Sequence, residues 1–219
     1  MSGEPDARNE FLLKMYDQMC NEISRSLVSV WQVLAAMVGT FVVYLQYTKY
    51  PFQTDISTCI VLIISWWIIA HIIDSNYWYN RNNAIITNIE RQFLHAEDLR
   101  TVHYYFGKHR DGRAVLTNFK IQLCAVIGIS LFVLFYHFDT RLFNILSNNV
   151  WRNPEYWADK KRLCIVFPYL LVIIETVILV MLKKQRNKDY KEFIDNSPGL
   201  LINTESIIYG KGHPTHPTA

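Results

Sequence analysis

The most informative absence in this 219-residue sequence is proline, because none occurs between Phe52 and Asn153. Proline breaks helices, since it lacks a backbone N–H and its ring clashes with the preceding turn. This stretch can therefore form long uninterrupted helices. Cysteine is also scarce, with four residues and no C-x-x-C pair. That spacing argues against a disulfide framework and a zinc site, and we interpret the four cysteines as reduced, small apolar side chains.

Catalytic and ligand-binding motifs are absent as well. The sequence contains no G-x-S-x-G, Walker loop, H-E-x-x-H or serine–histidine–aspartate arrangement. His95, His103 and His109 lie near acidic residues, but without the spacing of metal ligands. The net charge of +3 does not indicate nucleic-acid binding. We therefore predict that the protein is not an enzyme and holds no metal or cofactor.

Four long apolar runs dominate what the sequence does contain. They cover Leu27–Tyr47, Ile56–Ile73, Ile121–Phe138 and Leu163–Leu182. Each approaches the roughly 20 residues with which an α-helix crosses the hydrocarbon core of a lipid bilayer. We predict an all-α polytopic membrane protein with four transmembrane helices in residues 27–182. No cleavage site follows the first run, so we expect that span to be kept as an anchor.

The distribution of basic residues predicts the orientation of these spans. If the N-terminus lies inside, the inner segments carry sixteen Lys and Arg residues and the outer segments carry six. Cytoplasmic segments of membrane proteins are enriched in these residues. Both termini are therefore predicted to be cytoplasmic, with the spans in a plasma membrane. The basic cluster Lys160–Arg162, at the outer mouth of the fourth run, opposes this trend.

The segments outside the runs complete the predicted domain organisation. Residues 1–26 are predicted to form a cytosolic amphipathic helix, because their apolar residues recur at three- and four-residue steps. The outer loop 139–162 is expected to cap the membrane and to contain a short helix at Leu142–Leu146. Residues 183–219 are predicted to form a cytosolic tail that begins with a short charged helix.

The second apolar run continues into a polar segment that has no helix breaker before Gly107. A straight helix from Ile56 to Phe106 would reach about 75 Å at 1.5 Å per residue. Too few residues then remain for the return to the third run. We therefore predict that residues 75–119 form a cytosolic helical hairpin that folds back near residues 95–98.

Glu175 is the most informative single side chain, because it lies near the middle of the fourth run. Ionised carboxylates at that depth are costly, and they usually face a bundle interior or a water-filled path. One interpretation is a carboxylate that lines a pore, with Gln32 as a second intramembrane polar residue. The other is a neutral acid that is locked in place by a hydrogen bond. Candidate partners for that bond are Gln32, Ser130, a backbone carbonyl, His71 and His137.

His71 and Asp74 lie three residues apart on one helical face, near the inner end of the second run. Such a pair can bind a cation or a proton. It can also orient the helix as a polar cluster at the membrane interface, and we favour this second interpretation.

The following segment combines Tyr77, Trp78 and Tyr79 with asparagines and Arg81. An aromatic belt at the membrane surface explains the rings. A pocket for a phosphate or a base also fits this composition. The arginine would bind a phosphate through two parallel hydrogen bonds, and the aromatic rings would stack against a base. We predict contacts with a cytosolic ligand or partner for Tyr77, Trp78, Asn80, Arg81 and Arg110.

The layout from Trp66 to Gly112 resembles small bacterial membrane proteins encoded in defence loci. Its two spans are followed by the segments Tyr77–Asn82 and Asn88–Phe93. It is similar to the SLATT-type spans that accompany nucleotide-synthesising antiphage systems, and to the membrane subunit of Kiwa-type systems. The resemblance implies an oligomeric membrane effector or sensor that works with a cytosolic defence protein or a nucleotide signal. It implies no role for any particular residue.

Two functional hypotheses follow from these features. The first is a homo-oligomeric membrane effector or ion channel, gated through its cytosolic layer and acting in antiphage defence. An oligomer is expected because four spans in one subunit hardly enclose a pore. The second is a non-conducting membrane sensor or scaffold that recruits a cytosolic protein. A channel needs a continuous polar face, and Gln32, Ser65, Ser130 and Glu175 supply only a thin one.

Overall fold

The computed structural model of the protein describes residues 4–47, 50–93, 117–148, 150–152 and 163–196. These residues are helical apart from a few turn residues, and none of them forms a β-strand. The prediction of an all-α protein is therefore confirmed for this part of the chain. The elements are α1 (Glu4–Tyr47), α2 (Pro51–Phe93), α3 (Thr117–His137), a π-helical turn (Phe138–Leu142), α4 (Phe143–Ser147), a 3-10 helix (Val150–Arg152) and α5 (Phe167–Asp195).

The first two helices are much longer than a bilayer is thick. α1 has 44 residues and α2 has 43, so each is about 65 Å long at 1.5 Å per residue. In α1, the predicted amphipathic helix and the first apolar run form one continuous helix. The physical reason is the absence of proline and glycine between Pro5 and Gly39, because these are the residues that most weaken a helix interior.

α2 begins at Pro51, and the first turn of a helix accepts proline because the N–H that it lacks would be unpaired there anyway. The helix continues to Phe93, well beyond the apolar run, so the predicted extension of the second span is confirmed. The rest of the predicted hairpin, residues 94–116, lies outside the described residues. The fold-back near residues 95–98 and the role of Arg110 therefore stay predictions.

Three helical segments are long and apolar enough to cross a membrane. They are Ala7–Gln46, Pro51–Glu90 and Asn118–Leu142. The fourth predicted span is not among them. Its apolar stretch within α5, Phe167–Leu182, contains Glu175 and is followed at once by two lysines. These three charged residues lower the hydropathy of the segment. The count of four spans therefore stays a prediction.

The predicted short helix of the outer loop is present with a shift of one residue, as α4. It does not stand alone, because the π-helical turn carries the chain directly from α3 into α4. Turns of π-helix inside α-helical chains are rare and are frequent at functional sites. The tail helix predicted after residue 183 is likewise the continuation of α5, which ends at Asp195.

The described residues divide into two compact units. The polar unit comprises residues 4–28, 74–93 and 185–196. The apolar unit comprises residues 29–47, 50–73, 117–148, 150–152 and 163–184. The core of the polar unit includes the buried side chains of Ile23, Ala84, Ile86, Ile89 and Tyr190. The core of the apolar unit includes those of Val30, Met37, Ile68, Val126 and Val133.

Candidate functional sites

Most of the buried polar side chains in the described residues belong to α2. Gln122 and His137 of α3 are the exceptions. Polar groups in a protein interior are costly unless they are hydrogen-bonded, so the partners of these side chains indicate what each one does. The buried polar residues of α2 are Thr54, Asp55, Thr58, Ser65, Ser75, Asn76, Asn80, Asn82, Asn83, Thr87 and Glu90.

In the apolar unit, Asp55 is the centre of a closed network of hydrogen bonds. Arg141 binds both of its carboxylate oxygens, with Nε 2.8 Å from Oδ1 and Nη2 2.9 Å from Oδ2. His137 Nε2 lies 3.1 Å from Oδ1, and His137 Nδ1 lies 3.0 Å from the hydroxyl oxygen of Tyr169. The side chains of Asp55 and His137 are fully buried.

The helix ends explain why these four residues meet. Asp55 lies in the second turn of α2, His137 is the last residue of α3, and Tyr169 lies in the first turn of α5. His137 and Arg141 are four residues apart and so share a helix face. The histidine tautomer with its proton on Nε2 donates to Asp55 and accepts from Tyr169, so every member of the network is satisfied. The network thus joins α2, α3 and α5.

Sequence reasoning missed this network. His137 was considered only as a partner of Glu175, and neither Asp55 nor Arg141 was a candidate. The sequence contained one indication of a pairing. Asp55 directly precedes the second apolar run and Arg141 closely follows the third, so two opposite charges lie at the ends of consecutive runs. Periodicity within each run says nothing about contacts between runs, and the partner of each charge therefore could not be identified.

In the polar unit, Arg81 of α2 and Arg186 of α5 lie against aromatic rings. The Arg81 guanidinium carbon is 4.9 Å from the ring centre of Trp78 and 5.3 Å from that of Phe193. These are cation–π distances. Trp78, one of the predicted stacking residues, thus meets an arginine of its own chain, and these two rings account for the position of Arg81.

A second arginine repeats this arrangement. Arg186 of α5 lies 4.9 Å from the ring centre of Tyr77. Its Nη2 is 2.6 Å from Oδ1 of Asp74, and its Nη1 is 3.4 Å from Oδ2 of Asp189. Asp74 is therefore one half of an ion pair between α2 and α5. His71, its predicted companion, instead places Nε2 3.2 Å from the hydroxyl oxygen of Ser29.

The other side of α2 contacts α1 within the polar unit. Asn82 Nδ2 donates to Glu22 over 3.3 Å, and the Tyr16 hydroxyl donates to Glu90 over 3.4 Å. Burial, together with the nearby carboxylates of Asp17 and Glu90, raises the pKa of the Cys20 thiol. A raised pKa keeps the thiol protonated at neutral pH and therefore unreactive.

Between the contacts to α1 and those to α5, α2 carries a face of asparagines. Asn76, Asn80 and Asn83 are each more than nine-tenths buried. Asn80, which was predicted to contact a cytosolic ligand or partner, is 1% exposed, and this contact stays a prediction. Of the other predicted contact residues, Trp78 is exposed, and Tyr77 and Arg81 are half-buried.

The predicted intramembrane residues do not form one cluster. Gln32 is exposed on α1, and Ser130 donates to the backbone of Val126. Glu175 is half-buried and has no hydrogen bond or ion pair within the described part of the chain. The proposed hydrogen-bonded lock of Glu175 to Gln32, Ser130, His71 or His137 is therefore not formed. Among the described residues, no group of three His, Cys, Asp or Glu side chains is arranged to hold a metal.

Comparison with known proteins gives one distant relative. An uncharacterised protein of the archaeon Methanocaldococcus jannaschii is 26% identical over 144 residues, which cover 59% of this chain and 39% of the relative. The chain thus matches less than half of the length of that protein. No known protein family and no solved structure matches the chain.

Proposed function

We propose that this protein is a homo-oligomeric membrane effector or ion channel that is controlled through its polar unit. The observation that carries the proposal is Glu175, a half-buried carboxyl without a described partner inside an apolar helical stretch. A carboxylate at membrane depth faces either a partner or a water-filled cavity. Since no described residue pairs with Glu175, we infer that it borders a hydrated path.

The proposed topology has four spans, with α5 as the fourth, and both termini in the cytoplasm of a plasma membrane. It rests on the excess of basic residues in the inner segments. A cysteine introduced at Ser147 of a cysteine-free variant should react with an impermeant reagent added outside intact cells. A cysteine at Lys188 should not react, and the reverse pattern would disprove this orientation.

The exposed surface of the apolar unit supports an oligomer. Large apolar side chains are exposed along one side of α5, where either lipid or a second copy of the chain can cover them. They are Leu170, Ile173, Ile174, Val177, Val180 and Met181. Three or four helices in one subunit do not enclose a pore, so conduction would require several subunits around an axis. A mass in nanodiscs equal to that of one subunit would exclude this assembly.

The Glu175→Gln variant tests the proposal. Glutamine keeps the size and the hydrogen-bonding groups of the side chain but cannot carry a charge. If Glu175 borders an ion path, cation flux into liposomes should fall about tenfold or more, because rings of carboxylates attract cations into pores, while assembly stays intact. The matched control is Glu192→Gln, which removes an exposed charge from the polar part of the same helix.

Normal flux in Glu175→Gln would contradict the role of this charge. Absence of flux in the parent protein would favour the second candidate, a non-conducting sensor or scaffold. The exposed ring of Trp78 in the polar unit favours that candidate, because aromatic side chains are enriched at protein interfaces. The role in antiphage defence is part of the same proposal. It rests on the resemblance in layout and is tested by phage plating on cells with and without the gene.

A further inference from the structure

Three asparagines of the polar unit have a buried side-chain oxygen that accepts no hydrogen bond from any described residue. They are Asn76, Asn80 and Asn83. The three side chains are at most 8% exposed. More than nine-tenths of buried polar groups have a partner in protein or ordered water, so three orphaned acceptors on one helix need a cause.

The three asparagines share one face of α2. They are four and then three residues apart, and 3.6 residues per turn places them within an arc of about 60°. Side chains three or four residues apart have Cβ atoms about 5–6 Å from one another. Neighbouring amides of this set are therefore close in space, and we call the three residues the asparagine ladder.

The orientation of the central amide is defined by its nitrogen. Asn80 Nδ2 donates to the backbone carbonyl oxygen of Asn76 over 2.8 Å. This bond occupies the donor end of the side chain within the helix. The acceptor end, Oδ1, is the part of Asn80 that remains available to a ligand.

Two arginines of the polar unit, Arg81 and Arg186, contact other groups. Arg81 lies over the rings of Trp78 and Phe193, and Arg186 is paired with Asp74 and Asp189. Both guanidinium groups thus serve the contact with α5. The other side of α2 is used by Asn82, which donates to Glu22. The asparagine ladder lies between these two sets of contacts.

We propose that Asn76, Asn80 and Asn83 form a binding ladder for a partly dehydrated monovalent cation, Na⁺ or K⁺. Carbonyl oxygens replace the hydration shell of such ions in selectivity filters, and amide oxygens carry the same dipole. Divalent cations recruit carboxylates and keep more water, which a set of neutral oxygens does not suit. The inference rests on the proposed channel function and names the class of ion that it conducts.

Thermal unfolding of the full-length protein in detergent micelles tests the ladder without reference to flux. A ligand that binds the folded protein raises its unfolding temperature with concentration. We compare KCl, NaCl and N-methylglucamine chloride at equal ionic strength. The parent should be stabilised by K⁺ or Na⁺ in a saturable way and not by N-methylglucamine. Asn80→Leu, which removes the central oxygen, should weaken the apparent affinity about tenfold or more.

Two further variants decide the outcome if Asn80→Leu does not fold. Asn80→Asp keeps an oxygen at the same position and adds a charge, so the affinity should rise. Asn82→Leu, on the neighbouring face, should lower the unfolding temperature but keep the cation-dependent increase. Equal stability of the parent in all three salts would overturn the proposal and indicate buried water at these oxygens. So would an unchanged increase in both Asn80 variants.

The same measurements separate this inference from the proposed function. Cation binding without flux supports the ladder and contradicts the channel. Flux through the parent with no saturable cation-dependent stabilisation contradicts the ladder and leaves the role of Glu175 intact.

Discussion

Two sets of buried polar side chains, one in each unit of the molecule, differ in their hydrogen bonding. In the apolar unit, Asp55, His137, Arg141 and Tyr169 form a network in which each polar group has a partner at 2.8–3.1 Å. In the polar unit, the asparagine ladder leaves three buried oxygens without a described partner. Both sets depend on α2, which contributes one member to the first and all three to the second.

This difference separates a structural role from a binding role. A buried charge without a partner is far more costly than a neutral amide oxygen without one, so Asp55 can be tolerated only inside a closed network. An amide oxygen that has no partner until a ligand binds costs less free energy than an unpaired charge. The closed network is therefore expected to stabilise the helix bundle, and the open ladder is expected to bind. Three substitutions test the two expectations.

The largest effect is expected for Asp55→Asn. This change leaves the Arg141 guanidinium without its counter-charge, and breaking such a buried pair costs about 3 kcal/mol or more. The unfolding temperature in detergent should fall sharply. Asp139→Asn, an exposed neighbour of the network, should change it little. Equal unfolding temperatures for Asp55→Asn and the parent would show that the closed network contributes nothing to stability.

An intermediate effect is expected for Arg81→Leu. The guanidinium group lies over two rings, Trp78 and Phe193, and the loss of such contacts at a half-exposed site costs about 1 kcal/mol. Lys188→Leu, which removes an exposed charge from α5, is the matched control. If both variants have the same unfolding temperature as the parent, the cation–π contacts do not stabilise the polar unit.

An effect no larger than that of Arg81→Leu is expected for Asn80→Leu in N-methylglucamine chloride. Its amide oxygen has no described partner, and its Nδ2 donates to a backbone carbonyl of the same helix. Loss of that single hydrogen bond should change the free energy of unfolding by about 1 kcal/mol. A large destabilisation in this salt would mean that Asn80 belongs to a closed network after all. In that case the contrast between the two sets would disappear.

Particular residues show how much of this fold could be predicted. The apolar runs and the lack of proline predicted the helices and the extension of α2 beyond the lipid core, because helix formation depends on neighbours in sequence. The same reasoning placed two separate helices in residues 4–47, although nothing in that segment breaks α1. It also did not reveal that Asn80 is buried, because composition alone does not show which face of a polar helix lies in the interior.

The sequence by itself determined the helical class, the lengths of the apolar segments and the presence of an acid within α5. These are local properties, set by hydrophobicity and by the residues that break helices. Only the tertiary structure decided that Asp55 meets His137 and Arg141, and that Arg81 lies between rings of α2 and α5. Such pairings join residues that are 82 to 112 positions apart. They depend on how helices pack against one another, which the periodicity of a single helix does not encode.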